Sequence, residues 1–210
     1  MSKAIIITSY IEGNMDLKKY FNSENYVICT DGGYDLAAAQ NIRPNLLLGD
    51  FDSIKNQLPN DIETIRFKPE KDYTDLDLAI KTVVQRNFSQ LDILGGIGGR
   101  LDHTVANLQL LSHYDRYFDR LIMMDARNKC FIIDSKKHKS FIIEKEENSY
   151  FSLFSLSEKT TGVSIKGAKY PLENHTLTRT FPLGVSNEFA KKNTVVSIKD
   201  GTLLAVISKM

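Results

Sequence analysis

Aspartates recur just after short apolar runs in the first half of the chain. Asp31 stands in Asp31-Gly32-Gly33, and Asp50 and Asp52 in Gly49-Asp50-Phe51-Asp52-Ser53. Asp72, Asp75 and Asp77 fall in Lys71-Asp72-Tyr73-Thr74-Asp75-Leu76-Asp77, and Asp102 in Gly98-Gly99-Arg100-Leu101-Asp102-His103. If the apolar runs are parallel strands, their carboxyl ends line one ligand crevice and the scattered carboxylates can meet there. A cluster of like charge is costly unless a hard divalent cation sits within it. Mg²⁺ commonly takes one or two carboxylates, several waters and the oxygens of a substrate phosphate. The pattern therefore points to metal and phosphate together.

Each piece also has a local explanation. Thr74 followed by Asp77 fits a capping box, and Asp75 and Asp77 both suit the positive end of a helix. Asp31 and Asp50 can serve as turn residues beside glycine. Asp50 and Asp52, two apart, would put both carboxylates on one side of an extended segment, with a solvated turn as the alternative. Gly95-Gly96-Ile97-Gly98-Gly99-Arg100 lies between a predicted strand and a helix, where glycines admit a phosphate and helix amides bind it. It lacks the Gly-Lys-Ser/Thr ending of a P-loop, and a flexible turn explains the glycines equally well. Arg100 can grip phosphate oxygens or sit in a surface ion pair. His103 can move a proton or be hydrogen-bonded locally at a helix start.

The elements that must position these residues follow from pattern. Ala4 to Thr8, Tyr26 to Thr30, Asn45 to Leu48, Thr64 to Phe67, Leu91 to Leu94 and Leu121 to Met124 read as buried strands. Leu76, Ile80, Val83 and Val84 share one helical face, and Val105, Leu108 and Leu111 another. After Asp125 come β-rich runs with no helical pattern: Cys130 to Ile133, Ser140 to Glu144, Tyr150 to Phe154, Thr176 to Phe181, Thr194 to Ile198 and Leu203 to Ile207. The expectation is an α/β fold. Residues 1–125 form a Rossmann-like parallel sheet with flanking helices, and residues 126–210 a smaller antiparallel β-sandwich or barrel.

Composition narrows the function classes. With 27 basic and 26 acidic side chains in 210 residues, the net charge is +1, so no extended positive field holds nucleic acid or an anionic membrane. The apolar run at the N-terminus is shorter than the core of a signal peptide, and no stretch is long enough for a membrane-spanning helix. Cys29 and Cys130 sit alone in apolar runs and read as buried thiols suited to a reducing cytoplasm. No zinc-ligand spacing or serine elbow appears.

The four motifs, in that order and at that spacing, resemble the thiamine pyrophosphokinase family. Lys166-Gly167-Ala168-Lys169-Tyr170-Pro171-Leu172-Glu173-Asn174 and Gly184-Val185-Ser186-Asn187-Glu188-Phe189 look like its bacterial members, so the likeness spans nearly the whole chain. The resemblance implies transfer of pyrophosphate from ATP to the hydroxyl of thiamine, with an ATP- and Mg²⁺-binding first domain and a thiamine-binding second one. By similarity, Asp50, Asp52, Asp75 and Asp102 hold Mg²⁺ and orient the triphosphate, and Arg100 faces the phosphates. Asp31, Gly32, Asp72, Thr74, Gly98 and Gly99 shape the pocket, while Ser186 and Asn187 approach thiamine. A cytoplasmic homodimer with thiamine near the subunit interface is implied as well.

Overall fold

The computed structural model describes residues 3–52, 54–67 and 73–210, and these divide into two compact units at Ala126 and Arg127. In the first unit six strands run parallel: β1 (Lys3–Ile7), β2 (Tyr26–Thr30), β3 (Leu46–Gly49), β4 (Glu63–Arg66), β5 (Gln90–Leu94) and β6 (Arg120–Met124). Their spatial order is β6-β5-β1-β2-β3-β4. The chain thus builds outward from β1 through β4, then returns to the other side of β1 to add β5 and β6. A strand covered on both faces must be apolar at every position rather than at alternate ones. In β1, Ala4, Ile5, Ile6 and Ile7 are all fully buried.

Three helices accompany the sheet: α1 (Gly33–Ala39), α2 (Asp75–Gln85) and α3 (Leu101–Tyr114). α2 turns Leu76, Ala79, Ile80 and Val83 inward and is capped by Thr74, whose hydroxyl accepts the Asp77 N–H at 3.2 Å. Thr74 thus caps the helix as expected, but the capping box is only half made: the Asp77 side chain does not answer Thr74 and turns to Tyr114 and Lys81. On α3 the buried side chains are Asn107, Leu111 and Tyr114, whereas Val105 is 49% exposed. The apolar face drawn through Val105, Leu108 and Leu111 is therefore rotated from the buried one, because the glycine loop and Asp77 draw Asn107 and Tyr114 inward. No helix among the described residues is long and apolar enough to cross a membrane.

The second unit has two antiparallel sheets. One is ordered β12 (Gly184–Glu188), β9 (Ser149–Ser155), β14 (Thr202–Lys209), β7 (Asn128–Asp134). The other is ordered β11 (Leu172–Thr178), β10 (Lys159–Lys166), β13 (Asn193–Ser197), β8 (Ser140–Glu144). Phe131 of β7 stacks on Phe141 of β8 with ring centroids 5.1 Å apart. Two strands, β10 and β12, fall where no strand was expected. Gly162 interrupts the first, and the second is short and polar. The run Thr176 to Phe181 is in part a turn, with Phe181 66% exposed beyond β11.

Candidate functional site

Asp31 follows β2 directly, in left-handed conformation at φ 40°. Its backbone N–H donates to Leu48 O at 3.1 Å, and its Oδ1 accepts the Phe51 N–H at 3.2 Å. The side chain lies against the end of β3, and only glycine leaves room: a Cβ on Gly49 would fall 1.8 Å from Asp31 Oδ1. The carboxyl is half-buried. That burial, then a hydrogen bond and the charge of Asp75, push its pKa up to about 7, with Asp50 adding to the rise. Three carboxylates from β2, the β3 end and the start of α2 thus bear on one point.

The segment carrying Asp50 and Asp52 is a turn rather than an extended stretch. Phe51 is left-handed at φ 66°, and Asp50 Oδ1 accepts the Asp52 N–H at 3.1 Å. Phe51 is partly buried against the core cluster, and the Arg66 guanidinium lies over its ring at 5.0 Å. Asp52 is exposed.

The glycine loop after β5 is held from two sides. Asn107 Nδ2 donates to Gly96 O at 2.8 Å, and the Gly98 N–H donates to Thr104 Oγ1 at 3.1 Å, so α3 fixes the loop that precedes it. At Gly95 a Cβ would meet Thr8 Oγ1 and Tyr10 O, each at 2.3 Å, because the loop crosses directly over the end of β1. Arg100, the N-cap residue of α3, forms a two-pronged ion pair with Asp102 at 3.1 and 2.5 Å. Both side chains are largely exposed.

A crevice of about 300 Å³ opens where the strand order reverses between β1 and β5. Asp31, Thr74, Asp75, Gly98, Arg100 and His103 line it, with Thr8, Tyr10 and Asn107. Sequence reading missed these last three. Thr8 and Tyr10 follow the first strand without any acidic or glycine signal, and Asn107 lies off the apolar face expected of its helix. The four carboxylates assigned to metal are not brought into one cluster: Asp102 is turned to Arg100, and among the described residues no three Asp, Glu, His or Cys side chains stand as a ready-made metal site. Asp77 leaves the crevice altogether, accepting from Tyr114 Oη at 2.7 Å and pairing with Lys81 at 2.7 Å. Gly32 is the N-cap residue of α1. Asp72 lies outside the described residues.

In the second unit, Asn187 is buried and its amide is spent on backbone. It accepts from the Tyr170 and Glu188 N–H groups at 3.0 and 2.9 Å and donates to Tyr170 O at 2.7 Å. Asn187 thus ties the Tyr170 turn to β12. Ser186 beside it is left-handed at φ 55° and exposed.

An open parallel sheet with a glycine loop, a helix N-terminus and carboxylates at its reversal point defines an α/β protein of the class whose ligand crevice lies at the strand ends, a place suited to phosphate. Comparison with known families and structures narrows that class. Residues 17–123 match the family described as "Thiamin pyrophosphokinase, catalytic domain", and residues 139–203 match "Thiamin pyrophosphokinase, vitamin B1 binding domain". The chain belongs to the thiamine pyrophosphokinase family of enzymes. Thiamine pyrophosphokinase of Bacillus subtilis (strain 168) is 32% identical over 199 residues, covering 92% of each chain. A Caenorhabditis elegans thiamin pyrophosphokinase is 28% identical over 177 residues, covering 80% of this chain and 73% of its own. The crystal structure of the Bacillus subtilis enzyme superposes with a TM-score of 0.89 at 27% identity, over all of both chains. That of the Geobacillus thermodenitrificans enzyme gives 0.86 at 25% identity, over 100% of this chain and 98% of that one.

Proposed function

We propose that the chain transfers pyrophosphate from ATP to the hydroxyl of thiamine, releasing thiamine diphosphate and AMP. Family membership supports ATP-dependent transfer to thiamine. The observation that carries the assignment of the site is that Asp31 and Asp75, from the end of β2 and the start of α2, line one crevice together with Arg100. A carboxyl held near pKa 7 by burial and neighbouring carboxylates is an oxygen donor set that a divalent cation would relieve. The donors suit Mg²⁺, which needs few protein ligands when a triphosphate supplies others. Asp50, Asp52, Asp75 and Asp102 would hold it, with Asp31 and Asp72 shaping the pocket. Bound Mg²⁺ would neutralise triphosphate charge and draw electron density from the β-phosphorus.

The chain's own groups do the rest by positioning. Arg100 exchanges Asp102 for phosphate oxygens, and the start of α3 with Gly99 holds the departing α-phosphate, while the Gly98 N–H, given to Thr104 Oγ1, keeps the loop in shape. The thiamine hydroxyl attacks the β-phosphorus in line, and its proton passes to Asp75 or Asp102. The parallel order and the crevice support reading the first unit as Rossmann-like, and the two antiparallel sheets support a β-sandwich for the second. Exposed Phe181, Leu183 and Val185 beside Ser186 support a homodimer that shelters thiamine near that surface. Buried Cys29 and Cys130 support a reducing, cytoplasmic location.

The test is AMP release from ATP and Mg²⁺, with and without thiamine, while thiamine diphosphate is followed by chromatography. Equal, thiamine-dependent yields of both products support the transfer. AMP without thiamine makes the chain a phosphohydrolase, and no AMP makes it a binding protein.

A further inference from the structure

Neither end of the turn carrying Asp50 and Asp52 is left to its own backbone. At the front, Asp31 Oδ1 accepts the Phe51 N–H at 3.2 Å. At the back, Asp35 Oδ2 accepts the Lys55 N–H at 2.9 Å, and Asp35 Oδ1 accepts the Asn56 N–H at 3.1 Å and Asn56 Nδ2 at 2.6 Å. Asp31 and Asp35 stand four residues apart across the first turn of α1. That helix is anchored in turn by the N–H groups of Tyr34 and Asp35, which donate to Asp31 O and Gly32 O at 3.0 and 3.1 Å. The junction of β2 and α1 therefore holds Phe51 before Asp52 and Lys55 and Asn56 after it.

The two grips differ in what happens when phosphate and metal arrive. Asp31 lines the crevice together with Asp75, so its oxygens face whatever the crevice receives. Asp35 is outside the crevice lining and keeps three hydrogen bonds whatever occupies it. Charged acceptors make the stronger hydrogen bonds, which explains a carboxylate here rather than an amide. Resting on the reading of Asp50 and Asp52 as metal-holding residues, we infer that Asp35 is a positioning residue: it clamps residues 55 and 56 so that the Asp50 and Asp52 carboxylates stand pre-aimed at Mg·ATP.

The test compares the intact chain with Asp35→Ala and Asp35→Asn in three measurements: calorimetric binding of Mg·ATP without thiamine, tryptic cleavage after Lys55, and thermal melting. Residues that orient metal ligands cost about 10–100-fold in affinity when lost, so Asp35→Ala should bind Mg·ATP at least about tenfold more weakly. It should also be cut after Lys55 several-fold faster while other sites keep their rates. Asp35→Asn, which keeps one carbonyl acceptor, should fall between, and it carries the test if the alanine variant does not fold. Unchanged Mg·ATP affinity with a freed Lys55 site overturns the positioning role. Loss of affinity together with faster cleavage everywhere and a lowered melting temperature reduces Asp35 to general stability and overturns it too. If the unaltered chain binds no Mg·ATP, the functional reading fails and takes the positioning role with it, whereas unchanged cleavage after Lys55 removes the clamp itself.

Discussion

Gly49 and Asp31 occupy one space: the end of β3 carries no side chain because the Asp31 carboxylate lies where a Cβ would be, 1.8 Å away. Gly49→Ala must therefore push Asp31 away from both Phe51 and Asp75. Overpacking of this kind costs about 1–3 kcal/mol. We expect a folded protein with a lowered melting temperature and with turnover reduced far more than stability is. Calorimetry beside the thiamine-dependent AMP assay checks it, and full turnover would mean that Asp31 has no part in the site.

Asp52 is exposed, and among the described residues the turn is closed by Asp50 Oδ1, which accepts the Asp52 N–H, rather than by the Asp52 carboxylate. Asp52→Asn should leave the melting curve in place and lower turnover by about 100-fold or more, as loss of a charge-stabilising group does. Wild-type turnover across a full Mg²⁺ titration would remove Asp52 from the metal.

Asp31 predicts an unusual pH dependence for the metal-free protein. Its carboxyl titrates near 7 when folded, raised first by burial and then by Asp75, against about 4 in an unfolded chain. Between those values the folded state binds more protons than the unfolded one, so this group's contribution is complete below pH about 4 and is lost as pH rises through 7. Urea unfolding in EDTA should show stability falling over that interval, and Asp31→Asn should flatten the fall. An unaltered slope in the variant would assign the dependence elsewhere.

Tyr114 and Asp77 separate framework from site. The Tyr114 hydroxyl donates to buried Asp77 at 2.7 Å, joining α3 to α2. Tyr114→Phe should cost about 1.5–3 kcal/mol in chemical denaturation, the range for a hydrogen bond to a charged group. Turnover at temperatures well below melting should stay close to wild type, and a large fall in kcat alone would return Asp77 to the chemistry.

How far the sequence could be read depended on whether a residue's signal was local. Strands β1, β2, β3, β5 and β6 were legible because burial turns them into apolar runs such as Ala4 to Ile7, whereas β4, read as buried, is an edge strand largely exposed along Glu63–Arg66. Helix α1 was not, since its Ala-rich turn has only Gly33 and Ala37 buried and no capping side chain. At the site, Asp31, Asp75 and the glycine loop stood out by type and spacing. Tyr10 and Thr8 did not, because only the pairing of β1 with β5 gives them neighbours. The extended form expected of Asp50-Phe51-Asp52 gave way to a turn because Phe51 is drawn against the core, a tertiary pull with no mark in the tripeptide itself.

The reversal of strand order has a consequence for how the protein comes into being. Lys3 at the start of the chain pairs with Gln90, so the wall of the crevice closes only after a long intervening segment has been placed. Pairings this distant in sequence pay a loop-closure cost before they return any contact, and they form late and slowly. A nascent or truncated chain that has built β1 to β4 already displays Asp31 and Asp50 yet has no glycine loop opposite them. Ligand affinity should therefore appear in one step at the end of refolding, and bound ATP would act as a reporter of a completed first unit.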